Sequence, residues 1–217
     1  MQQFFNYIYP FDNYFICLFA KLNESAGAFF TPLSKIVTLL GEKGIIFFIT
    51  AIILSLFKKT RKSAVCIFGA VCCGALITNI ILKDTAHRLR PFESSSVYYD
   101  FWVNVGSFIE DGFSFPSGHV TAVSSFATAT FLTFNKKFSW TAFLGVIIMA
   151  FSRVYLLAHY PSDVIAGALV GIISGIIAYY ITLLIFKLLN KYKSKKVCCF
   201  LLNFDIKNNL KGLDLDT

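Results

Sequence analysis

Residues 151–187 read FSRVYLLAHYPSDVIAGALVGIISGIIAYYITLLIFK. Across 164–186 no charge interrupts the run, and its length exceeds the ~20 residues a helix needs to cross a bilayer. Pro161 suits the first turn of that helix. Just ahead of it stand Arg153, His159 and Asp163. A membrane helix with titratable groups gathered at its mouth decides the fold class: an all-α, polytopic membrane helix bundle.

Outward from this stretch, three further runs of the same kind lie at 63–82, 119–134 and 138–157. A fifth, 45–57, has 13 residues; it reaches spanning length if its helix begins near Ile36 and lets Glu42 and Lys43 snorkel. The apolar stretch 14–30 contains Lys21, Asn23 and Glu24. Residues 1–35 therefore read as an interfacial amphipathic segment, with a sixth spanning helix as the other reading. Composition agrees, because 56% of the 217 residues are hydrophobic and mean hydropathy is +0.66. That is more apolar surface than a soluble domain of this length hides, so lipid must solvate it. The first residues lack the basic region of a cleavable signal peptide. The chain reads as a single domain, 1–217, with a signature-bearing region at 83–163 and a cytoplasmic tail at 187–217.

The net charge of +8 is distributed by sidedness. Lys58-Lys59-Thr60-Arg61-Lys62 holds four cations and no acid, Asn135-Lys136-Lys137 adds two, and Lys187, Lys191, Lys193, Lys195 and Lys196 follow the last run. With five spans these segments share one side, which the positive-inside rule makes cytoplasmic. Residues 83–116, with five acids against three bases, then face outward. The basic residues read as topology and contact with anionic lipid rather than with nucleic acid. Cys66, Cys72 and Cys73 act as small hydrophobes in an apolar run, and Cys198-Cys199 read as reduced thiols, with lipidation as the lesser alternative. No cysteine or histidine spacing resembles a zinc site.

The polar residues beside the spans form three clusters. Phe115-Pro116-Ser117-Gly118-His119 opens an apolar run as a helix start does; free amides and the helix dipole at that position suit an anion, and Gly118 lets one approach the backbone. A bland helix start explains Pro116 and Ser117 equally well, but His119 beside them at the membrane surface favours a site. Arg153 in an apolar helix is costly and implies a partner or a polar cavity; snorkelling is the alternative. Its planar fork fits phosphate oxygens in pairs. Asp163 follows His159 by four residues and can take the proton of one ring nitrogen, leaving the other free to attack; a histidine capping its helix is the plainer reading. Lys83 and Arg90-Pro91 supply two more cations or, alternatively, interfacial anchors. His87, between them, reads as a surface histidine.

In this order the clusters resemble the three signatures of the type 2 phosphatidic acid phosphatase superfamily, which also includes vanadium haloperoxidases. Lys83 to Arg90-Pro91 is similar to K-x6-R-P, Pro116–His119 to P-S-G-H, and Ser152-Arg153 through His159 to Asp163 to S-R-x5-H-x3-D. The resemblance implies that His159 attacks phosphorus, that Asp163 holds its ring, and that His119 protonates the leaving oxygen. It further implies that Lys83, Arg90, Ser117, Gly118 and Arg153 bind the phosphate, with neither cofactor nor metal. Small bacterial members lead to the expectation of undecaprenyl diphosphate as substrate, at the extracytoplasmic face of a bacterial plasma membrane. Phosphatidylglycerophosphate and phosphatidic acid are the alternatives. A non-catalytic lipid carrier on the same scaffold requires degenerate signatures, and none is degenerate. The several spans and small size argue against a peroxidase.

Overall fold

The structure, a computed structural model, describes residues 1–207; the expected tail is described as far as Lys207, and 208–217 lie outside the described residues. The helices are α1 (Gln2–Leu40), α2 (Ile45–Ser55), α3 (Arg61–Leu76), α4 (Pro91–Ser94), α5 (Ser96–Val105), α6 (Gly118–Thr133), α7 (Ala142–Tyr155), preceded by a short helical turn at Lys136–Ser139, α8 (Pro161–Lys191) and α9 (Lys196–Asn203), and no strand occurs among the described residues. Beyond α3 the chain stays helical through a π-helical turn, Ile77–Leu82, and a last α-turn, Lys83–Ala86. Three helical stretches are long and apolar enough to cross a membrane: Arg61–Ser94, Lys136–Tyr155 and Pro161–Lys191. A fourth crossing results if α1 and α2, which meet at a 49° bend, count together. The protein is an integral membrane protein built entirely from helices.

The N-terminal region departs from expectation. No new helix begins near Ile36, because α1 passes residue 35 and continues to Leu40; its kink lies earlier, at Ala26. Its buried residues extend from Phe5 to Thr38, so it packs on the bundle along its length. Asn23, one of the polar residues that argued against a full span here, has a partner: its Oδ1 accepts from Tyr155 Oη at 2.7 Å, while Phe19 and Phe30 pack on Phe151. The chain turns instead at Gly41–Gly44, where Gly44 adopts φ +67°, a conformation costly for any residue with a Cβ. The 45–57 run consequently starts at Ile45.

α6 is the central helix, with α3, α7 and α8 against it. Its face toward α8 is small and polar, and α8 answers with glycines one helical turn apart. A Cβ on Gly171 would lie 2.5 Å from Ser124 Cβ, and one on Gly175 would lie 2.6 Å from Thr128 Cβ. On the third glycine, Gly167, it would lie 2.6 Å from the Ser117 carbonyl oxygen. Such close approach is how membrane helices gain packing where lipid supplies no hydrophobic drive. Ser124 Oγ seals the contact by donating to the Ala168 carbonyl at 2.8 Å. At the far end, α9 folds back on the basic loop: Arg61 Nη1 donates to Leu201 O at 2.8 Å, and Lys58 N donates to Asp205 at 3.2 Å.

Candidate active site

Backbone hydrogen bonds tie the second cluster to the third and fold the third on itself. Ser117 N donates to Asp163 O at 3.1 Å, and His159 N donates to Arg153 O at 3.3 Å. The π-helical turn before Lys83 changes the helical phase there, a distortion common at functional sites. Arg90 caps α4 through its backbone N–H to Glu93, at 2.9 Å. Its guanidinium spans two other loops, donating from Nε to Gly112 O (3.0 Å), from Nη2 to Asp111 O (3.0 Å) and from Nη1 to Ala158 O (2.9 Å).

The result is a cavity of about 570 Å³ lined by Lys83, Arg90, Gly118, His119 and His159, hence by residues of all three clusters. Its opposite wall comes from the α1–α2 elbow, with Thr38, Leu39, Glu42 and Phe48, and Glu110 closes one side. Ser117 and Arg153 are buried beside it. Arg153 Nη1 donates to Thr38 Oγ1 at 3.2 Å, and Nη2 pairs with Glu110. Three buried polar atoms of the expected site have no protein partner: Arg153 Nε, Ser117 Oγ and His119 Nε2. A buried polar group without a partner is costly, so their grouping here marks a place built for a polar ligand. His87 is exposed, meets Phe113 edge-on with ring centroids 4.5 Å apart and does not line the cavity.

The His159 ring is fixed by a group the sequence did not suggest. Nδ1 lies 2.7 Å from the Ser114 carbonyl oxygen. A carbonyl only accepts, so Nδ1 carries the proton and Nε2 keeps its lone pair. Burial, then the charges of Arg90 and Arg153, hold this imidazole well below 6.5, so it is neutral at physiological pH. Asp163 Oδ2, expected to receive the ring proton, is 3.8 Å from Nδ1. That carboxylate accepts from Ser114 Oγ at 2.5 Å, from Tyr160 N at 2.9 Å and from Arg88 Nη1 at 2.5 Å. It thus bears on the ring by holding Ser114.

Arg88, Asp12, Ser114 and Glu110 complete the site and escaped the sequence reading. Arg88 lies over the Tyr160 ring at 3.8 Å and joins Asp163 to Asp12, which is fully buried on α1. Only the charge pattern held a signal for them: Arg88 stands two residues before Arg90, and Asp12 interrupts an aromatic run.

The PAP2 superfamily profile matches residues 63–187, more than half of the chain. The chain belongs to the PAP2 superfamily. Within it, the chain is 32% identical to an undecaprenyl-diphosphatase of Sulfolobus acidocaldarius over 160 residues, 71% of either chain. It is 33% identical to a lipid A 4'-phosphatase of Porphyromonas gingivalis over 132 residues. That alignment covers 58% of this chain and 56% of the relative, so the chain spans little more than half of that relative's length. Among solved structures, Aquifex aeolicus LpxE superposes with a TM-score of 0.62 at 25% identity, covering 74% of this chain and 92% of that one. These likenesses agree with the signatures at Lys83–Arg90, Ser117–His119 and Arg153–Asp163.

Proposed function

We propose that this PAP2 phosphatase removes a terminal phosphate from a membrane lipid through a phosphohistidine, with undecaprenyl diphosphate as the favoured substrate. The observation that carries the reading is the one cavity lined by Lys83, Arg90, His119 and His159, with the His159 ring held as its Nδ1–H tautomer. In the proposed first step His159 Nε2 forms a bond to phosphorus as the bond to the leaving oxygen breaks. His119 delivers a proton to that oxygen, and Lys83, Arg90, Arg153, Ser117 and the Gly118 amide hold the remaining oxygens as charge develops. Water then cleaves the phosphorus–nitrogen bond, releasing inorganic phosphate and restoring the imidazole. No step draws on a metal.

The undecaprenyl-diphosphatase relative, matched over 71% of both chains, supports the favoured substrate. The lipid A 4'-phosphatase relative supports a second reading, a lipid-borne sugar phosphate. The positive loops support five crossings with the cavity facing outward at a bacterial plasma membrane. A phosphate-release panel in detergent, with prenyl diphosphates, lipid A, phosphatidylglycerophosphate, phosphatidic acid and a soluble phosphate, tests the substrate. Prenyl diphosphate is expected to turn over fastest, undiminished by chelator, and preference for another lipid overturns that choice. Cysteines placed by Lys59→Cys and Ser95→Cys test sidedness: an impermeant reagent outside the cell should label only the second.

A further inference from the structure

Glu110 lies between the two guanidinium groups expected to hold phosphate. Its Oε2 accepts from Arg90 Nη1 at 3.1 Å, and Oε1 accepts from Arg153 Nη2. The Glu110 side chain is 18% exposed, against 2% and 1% for its two partners. A carboxylate offers a guanidinium fork the same pair of anionic oxygens as a phosphate does. Glu110 therefore sits in the seat of a ligand's phosphate oxygens. We propose that Glu110 is a selectivity residue, a tethered carboxylate that yields its place to a dianionic terminal phosphate and turns away monoanionic phosphodiesters. The proposal rests on the phosphate-binding role assigned above to Arg90 and Arg153.

The donor inventory shows why an incoming anion must meet Glu110. Arg90 commits Nε and Nη2 to the Gly112 and Asp111 carbonyls, and Nη1 serves both the Ala158 carbonyl and the carboxylate. Arg153 commits Nη1 to Thr38, leaving Nη2 with Glu110 and Nε without a partner. An anion bridging both arginines takes the positions of Glu110, so the two compete for the same hydrogens.

Charge then decides the competition. A phosphodiester exchanges one negative charge for one, and the tethered carboxylate has the advantage of high effective concentration. A terminal phosphate brings about 1.5 to 2 charges and three acceptor oxygens. It gains against Lys83, Arg90 and Arg153 together, and it also meets the unpartnered Arg153 Nε, Ser117 Oγ and His119 Nε2. Glu110 remains ionised for this contest: burial alone would raise it, but Arg153 and Arg90 hold it at about 2. Glu110 is on a loop at the surface, bracketed by Gly106 (φ +57°) and Gly112 (φ +74°), with its neighbour Ile109 79% exposed. For an enzyme embedded in a surface made of phosphodiester headgroups, such a residue keeps the cavity from filling with bulk lipid.

The test uses purified full-length protein in detergent, with inorganic phosphate and diethyl phosphate as soluble probes. Protection from heat unfolding is read, which needs no turnover. Wild-type protein should be protected by inorganic phosphate and unaffected by diethyl phosphate. Glu110→Gln should bind inorganic phosphate at least about tenfold more tightly and become sensitive to diethyl phosphate, since the tethered competitor is gone. Glu110→Ser repeats the test with a smaller neutral side chain, and Glu110→Asp, which keeps the charge, should still ignore diethyl phosphate. Unchanged phosphate affinity in both neutral variants, or their continued indifference to diethyl phosphate, overturns the proposal. Failure of inorganic phosphate to protect any form, together with absent phosphate release by wild type, overturns the phosphate-site reading itself.

Discussion

Asp12, near the start of α1, and Asp163, at the mouth of α8, share one arginine. Arg88 donates from Nη2 to Asp12 at 2.7 Å and from Nη1 to Asp163 at 2.5 Å. Asp12 also accepts from Ser162 N at 2.9 Å and from Ser162 Oγ at 2.7 Å. A residue outside the matched segment 63–187 thereby fixes the turn that carries His159.

Removing Asp12 should expose the strength of this coupling. Asp12→Ala leaves Arg88 with one carboxylate and the Ser162 amide with no acceptor. Breaking a buried pair from one side costs about 3–5 kcal/mol, so a clear fall in the unfolding midpoint in detergent is expected. Phosphate release should fall through kcat more than through KM, because the turn is positioned by Asp12 while the cavity cations are untouched. A silent Asp12→Ala would show that α1 does not support the site.

The His159 ring carries a prediction about pH. Its folded-state value is depressed below 6.5, so the unfolded chain binds the proton that the folded one refuses. The stability associated with the neutral ring is complete above 6.5 and declines as pH falls below it. Nitrogen-15 NMR of labelled histidine should show the Nδ1–H tautomer of His159 unchanged from about pH 8 to about pH 6. His159→Gln should lessen the acid-side drop in unfolding midpoint and lower phosphate release by roughly 10³-fold or more. A ring that titrates normally would contradict the tautomer assignment.

The glycine face of α8 gives a packing prediction with its own control. In Gly171→Leu the side chain begins 2.5 Å from Ser124 Cβ and 2.7 Å from Thr121 O, so α8 must move away from α6. Overpacking of this kind costs typically about 1–3 kcal/mol, and the displaced α6 carries His119 with it. Phosphate release should drop by about 10²-fold, as small misplacements of reacting groups do. Gly145→Ala, whose added Cβ meets Val123 at an ordinary 3.7 Å, should leave both readings near wild type.

Much of the site was legible because its chemistry uses side chains at fixed spacings. Lys83, Arg90, His119 and His159 were separable from mere anchors once their order along the chain matched a known set of signatures, and they do line one cavity. The carbonyl of Ser114, which sets the tautomer, is a backbone group and has no letter of its own. Glu110 looked like one loop acid among several, since nothing local to it announces arginines from two other segments. α1 shows a related effect: hydropathy counts Asn23 as an obstacle to a span, whereas Tyr155 satisfies it from α7. Partners distant in sequence decide whether a polar residue breaks a helix or anchors it.

The cavity wall has two separate origins. Lys83, Arg90, His119 and His159 belong to the segment 63–187 that matches the superfamily, whereas Thr38, Leu39, Glu42 and Phe48 come from the α1–α2 elbow ahead of it. On the proposed function, handling phosphorus and framing whatever is attached to it would thus be written in different stretches of the gene. Exchanging the elbow between relatives becomes a way to ask what sets lipid preference while the reacting groups stay constant.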